Sequence, residues 1–149
     1  MNRKLYPFRP SITEILDREG NDYTLLGSNT NNYLIASCWL ETNFPILSWC
    51  RIDWSSVENS LCKNFSDDLD VQHLFEEIKH DYNLCGNVTI SWSNALKFPL
   101  EIDISLISKY AEEIFQEDWD TWIYSDRYKW CIEAFHTGEI CFGYSQSVI

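Results

Sequence analysis

Glycine is scarce in this chain, occurring only at positions 20, 27, 86, 138 and 143. Five scattered glycines build no phosphate-cradling loop, which argues against nucleotide hydrolysis. Basic residues are few as well: eleven Lys and Arg stand against 23 Asp and Glu, for a net charge of −12. The one basic grouping, Arg3, Lys4 and Arg9, is too small to follow a phosphate backbone, so no nucleic-acid partner is expected. No apolar run approaches the roughly 18 residues of a membrane span, and no membrane role is expected. The opening MNRKLYPFRP has no apolar stretch of the kind an export signal carries. We therefore expect a cytoplasmic protein whose six cysteines (38, 50, 62, 85, 131, 141) are reduced thiols. CxxC and HExxH are both missing, and His73 and His80, seven apart on one helix, are separated by about 10 Å, too far to share an ion easily. No metal and no cofactor is expected.

Aromatic residues, by contrast, are abundant at 15% with seven Trp, and 149 residues suffice for one domain, 1–149, with a core of its own. The acidity is uneven. Residues 1–66 hold seven acids against six bases, a net −1, and residues 67–149 hold sixteen against five, a net −11. Such a field attracts basic proteins and raises their association rates by roughly one to three orders of magnitude.

Ser11 and Glu14 have capping-box spacing for a short helix burying Ile12, Ile15 and Leu16. Strands are expected over Tyr23 to Leu26, Tyr33 to Trp39 and Ile46 to Trp54, followed by a brief helix from Ser55 to about Leu61. Ser66, with Asp67, Asp68 and Asp70 in the first turn, opens a helix whose Val71, Leu74, Phe75, Ile78 and Tyr82 share one face. Asn87 to Ser93 alternates like a strand with one buried side, and NALKFPLE reads as a loop. A second helix, about Ile104 to Gln116, carries the stripe Leu106, Ile107, Tyr110, Ala111, Ile114 and Phe115. It ends in EDWD, where Glu117, Asp118 and Asp120 sit at the wrong end for the helix dipole.

The stretch Trp119 to Tyr144 reads as a three-stranded meander with turns at SDRY and FHTGE. A His136–Thr137–Gly138 loop sets Ala134 against Ile140, Ile132 against Phe142 and Trp130 against Tyr144, giving one wholly apolar or aromatic face. Centring the first turn on Asp126 and Arg127 adds Trp119, Thr121 and Ile123 to it. The fold class is therefore α+β: an antiparallel sheet with a C-terminal three-stranded meander and two main amphipathic helices packed on one face. The Ile104 helix is expected to cover Trp130, Ile132 and Phe142. The other face, with Trp122, Tyr124 and Phe135 among Asp120, Glu133 and Glu139, is expected to be open or only partly covered.

Catalytic constellations are poor. Cys131 lies too far up its strand for His136 to activate it, and an Asp120–Glu133 acid–base pair has no other support in the sequence. What remains has the make-up of a binding surface: aromatic anchors ringed by carboxylates. The residues EEIFQEDWDTW and KWCIEAFHTGEICFG, in a small, Trp-rich, acidic chain, resemble the acidic immunity proteins that bacteria make against toxins of contact-dependent and other polymorphic toxin systems. The resemblance spans the last third of the chain. It implies a single cognate toxin, often a basic nuclease, whose active site or substrate groove the protein occludes. The expectation is a non-enzymatic inhibitor of a basic protein partner, contacting it through Glu117, Asp118, Asp120, Trp122, Tyr124, Glu133, Phe135 and Glu139. The alternatives are a small cytosolic enzyme with a carboxylate-lined cleft, or a subunit of an assembly, including a homodimer through Trp122 and Phe135.

Overall fold

A computed structural model describes residues 11–26, 32–47, 51–93 and 98–146. Among the described residues seven strands, all antiparallel, form one sheet: β1 (Thr24–Leu25), β2 (Leu61–Asn64), β3 (Asn87–Trp92), β4 (Leu100–Asp103), β5 (Thr121–Ser125), β6 (Trp130–Phe135) and β7 (Glu139–Tyr144). Their order across the sheet is β1-β4-β3-β5-β6-β7-β2. The α+β class and the C-terminal meander are as the sequence indicates.

The meander's second hairpin has the expected register, Trp130 with Tyr144, Ile132 with Phe142 and Ala134 with Ile140. Gly138 takes φ +98°, which an L side chain resists. The first turn is longer than expected. Residues 126–129 form it, with Lys129 at φ 59°, and Ser125 pairs with Trp130. Two additional loop residues move the pairing by two, so Ile123 meets Ile132 and each strand keeps its face. Trp119, expected on the helix-bearing face, instead lies ahead of β5 and is exposed.

The first face of the sheet packs against α1 (Ile12–Arg18), α3 (Asp68–Asp81), α4 (Ile104–Lys109) and α5 (Ala111–Gln116). Ser11 caps α1 by accepting the Glu14 N–H, and Ile12, Ile15 and Leu16 are buried. Asp67 caps α3 by accepting the Asp70 N–H at 2.9 Å, and Val71, Phe75 and Ile78 point inward. The Ile104 helix shares one core with Trp130, Ile132 and Phe142 but comes in two pieces, because Tyr110 leaves helical geometry at φ −116°, ψ 30°. Tyr82, at the end of α3, packs on Phe142, and the Trp92 indole of β3 donates to the Ile114 carbonyl of α5. Phe75 of α3 and Phe115 of α5 pack at 5.8 Å in the middle of this layer.

The second face is not open, and here several expectations are overturned. The segment read as a strand over Tyr33 to Trp39 lies in a helix, α2 (Asn32–Asn43). A short apolar run such as YLIASCWL fits a strand or a buried helix equally well by pattern. Length decides, and twelve residues with no glycine or proline favour the helix. Its last turn is closed by Thr42 Oγ1 and Asn43 Nδ2 donating to the Cys38 and Trp39 carbonyls. The expected strand Ile46 to Trp54 reduces to a single bridge, Ile46 with Ile52, and residues 48–50 lie outside those described. The helix expected from Ser55 is one 3-10 turn, Trp54–Ser56, whose hydroxyls at Ser55 and Ser56 donate to Asp53. Strands β2 and β4 were unforeseen, each four residues long. β4 takes up the end of the presumed NALKFPLE loop.

Leu40, Phe44, Ile52, Trp54 and Val57, from α2 and the segment after it, form a second core with Trp122, Tyr124, Cys131 and Cys141. The sheet is therefore buried on both sides. Gly143 makes the close approach possible: a Cβ there would lie 2.9 Å from Trp54 Cζ3 and 3.0 Å from Val57 Cγ1. The six cysteines are not all separate thiols. Cys62 of β2 and Cys141 of β7 lie directly opposite one another and form a disulfide, while Cys38, Cys85 and Cys131 are free.

Candidate functional site

The eight sequence-selected residues divide into an interior group and a rim. Trp122, Tyr124 and Glu133 are interior, at 5%, 3% and 1% exposure. Trp39 of α2 stacks on Tyr124 with ring centroids 4.1 Å apart, and its indole N–H donates to Asp126 at 2.8 Å. The expectation that this aromatic face lies open is corrected accordingly. Large rings on a covered sheet face read from sequence like anchors on an open one. What distinguishes the cases is whether a helix covers the face, and the pattern of the α2 segment fits a strand as well as a helix.

Glu133 is the organising group of this interior. Its carboxylate accepts the Trp122 indole N–H at 2.8 Å, the Trp54 indole N–H at 3.0 Å and the Ile52 backbone N–H at 3.0 Å. Arg51 Nε lies 3.6 Å away. Burial pushes the carboxyl above its ordinary range, against the pull of those three donors and of the guanidinium. An acid held this way acts as a pin, tying the 51–54 segment to the sheet. It is not presented to a substrate, and the acid–base pairing of Glu133 with Asp120 has no geometric support. Cys131 is fully buried, and burial pushes its thiol up, away from the thiolate a nucleophile needs. His73 and His80 stand exposed on α3.

The acidic cluster after α5 also has local work. Glu117 Oε2 accepts the Ile12 N–H at 3.1 Å, capping α1 from 105 residues away. Asp118 Oδ1 accepts the Trp119 N–H at 2.8 Å. Asp120, mostly buried, accepts the His136 backbone N–H at 2.7 Å, and His136 Nδ1 lies 2.9 Å from the same oxygen. A carboxylate only accepts, so Nδ1 is the protonated ring nitrogen. Carboxylates unfavourable for their own helix are thus placed to satisfy donors elsewhere.

The rim is what solvent reaches. Trp119, 41% exposed, stands edge-on to His136 with centroids 5.6 Å apart. Phe135 packs on His136 at 4.6 Å and also carries the Arg51 guanidinium over its ring at 4.5 Å. Arg51 in turn is ion-paired to the half-buried Glu139. The β6–β7 turn and the residue ahead of β5 therefore bring Trp119, Phe135, His136 and, through Arg51, Glu139 to one corner of the sheet, while Glu117 sits at the N-terminus of α1. Sequence reasoning missed Trp119 and Arg51: the first was assigned to the core, and the second comes from the misread segment.

Among the described residues, no helix is long and apolar enough to cross a membrane. Residues 12–143 match the family described as CdiI immunity protein, EcoliA0-like. No curated protein matches the chain.

Proposed function

Because the chain belongs to the CdiI immunity protein, EcoliA0-like, family, we propose that it neutralises one cognate toxin in the cytoplasm by binding it, without catalysis of its own. The family match over residues 12–143 is the observation that carries this reading. The net charge of −12 supports a basic toxin, by the resemblance above a nuclease, whose active site or substrate groove the protein would occlude. Of the sequence-selected residues, Glu117, Phe135 and Glu139 contact the toxin from the rim, with Trp119 as the aromatic anchor. Asp118 and Asp120 shape that rim. Trp122, Tyr124 and Glu133 hold the scaffold behind it.

The test is co-production of the chain with the toxic domain encoded beside it. Trp119→Ala should weaken binding by more than about tenfold, as removal of an interface anchor does, and leave the thermal midpoint within a degree or two. Unchanged protection by Trp119→Ala overturns the rim assignment, and failure of the native chain to protect overturns the function. The association rate should fall steeply with added salt, and a salt-independent rate would refute the basic-partner reading.

A further inference from the structure

We propose that the edge of the sheet formed by β2 and β7 is a zinc site when Cys62 and Cys141 are reduced. It does not rest on toxin binding, although Glu139 is also one of the residues proposed above to contact the toxin.

The two cysteines face each other in the β2–β7 register, and Glu139 lies two residues from Cys141, hence on the same sheet face. One ligand atom from each of Cys62, Cys141 and Glu139 falls within 4.8 Å of the other two. Two thiolates held about 2.3 Å from a tetrahedral zinc lie about 3.8 Å apart. Opening the disulfide therefore asks only that the sulfurs separate to that distance. Zinc suits the donor set, two soft sulfurs and one oxygen, and water completes four-coordination. Cys62 is exposed, which gives the ion a path in, while Cys141 is buried. Arg51 is already ion-paired to Glu139 Oε1, which orients the carboxylate and leaves its other oxygen for the metal. Glu133, the next residue in the row beyond Cys141, stays committed to the two indoles and does not compete.

The chemistry balances. A dithiol reductant gives two electrons and two protons to the Cys62–Cys141 disulfide and is itself oxidised to a disulfide. Zinc then displaces the two thiol protons and bridges the sulfurs. The edge strand β2 is thus tied to β7 by a covalent bond in the oxidised chain and by a metal in the reduced one.

The experiment uses the full chain and zinc alone. Reduced protein should bind one equivalent, with the ion shielding two thiols from a thiol reagent, and cobalt in its place should show a sulfur-to-metal charge-transfer band. Oxidised protein should bind none. Cys62→Ser should abolish binding, and Glu139→Gln should weaken it by at least about tenfold, while Cys85→Ser should leave it unchanged. Circular dichroism confirms that each variant is folded. No zinc uptake by the reduced native chain, or uptake that survives Cys62→Ser, overturns the proposal.

Discussion

Glu133→Ala is the most informative single change. The native carboxylate is 1% exposed and accepts from three buried donors, the Trp54 and Trp122 indoles and the Ile52 amide. Truncation to a methyl group orphans all three, and each unsatisfied donor costs about 1–3 kcal/mol. The upper end of that sum is offset in two ways. A buried charge is removed, and the vacated space is polar and roomy enough for water to serve some of the donors. We expect a net loss of about 4 kcal/mol, a large part of the roughly 5–15 kcal/mol typical of a domain. Urea unfolding followed by tryptophan emission measures it. Below the transition, the native-state emission should already shift to the red, because Trp54 and Trp122 lose their anchor while the helix-bearing face does not. A double-mutant cycle with Trp122→Phe should show coupling of about 1 kcal/mol, since that change removes one of the orphaned donors. A loss under about 1 kcal/mol, with native emission unchanged, would refute the view that Glu133 holds the 51–54 segment in place.

Two further outcomes follow from the packing and the charges. Gly143→Ala should cost about 1–3 kcal/mol through overpacking, because its Cβ meets Trp54 and Val57 at 2.9 and 3.0 Å. Near-UV circular dichroism should report a disturbed Trp54 while far-UV signal is kept. Asp103, which caps α4 through Ser105, is held below the ordinary carboxylate range by its bonds to the Ser105 hydroxyl and backbone. A depressed group stabilises above its unfolded pKa of about 3.9 and loses that contribution as pH falls through the lower folded value. Asp103→Asn should therefore be less stable than the native chain at pH 7, with the gap closing below about pH 4. Glu133 has the opposite sign: its raised pKa favours folding fully below about 4.3, and that part is lost as pH rises through the folded value. Chemical denaturation at stepped pH separates the two.

The later part of the chain is the better read from sequence, for identifiable reasons. The Trp130 to Tyr144 hairpin sets apolar or aromatic side chains at every second residue on one face and carries a glycine where its loop turns left-handed, so register and face follow together. The stripe of α3 is long enough for its period to be unambiguous. β2 and β4 span only four residues each, too few for a period to show, and they are strands because β7 and β3 offer them partners. The Cys62–Cys141 pairing is a product of that register, between residues 79 apart, and no spacing rule reveals it. The candidate site suffered most from α2. With Tyr33 to Trp39 read as a strand, nothing remains to cover Trp122 and Tyr124, and an interior reads as an exterior.

The strand order also bears on how the chain comes off the ribosome. β1 and β2, the outermost strands, and α2 with the segment after it are all synthesised before any strand of the sheet's interior exists. β1 waits for β4, β2 waits for β7, and α1 waits for Glu117 to reach its first turn. The translated first half is thus a set of parts with no template, including the apolar Leu40, Phe44, Ile52 and Trp54. The β1 edge can close once β4 has emerged, but the β2 edge waits for β7, near the end of the chain, and the second core waits for β5 to β7, so until then those side chains remain open to chaperones.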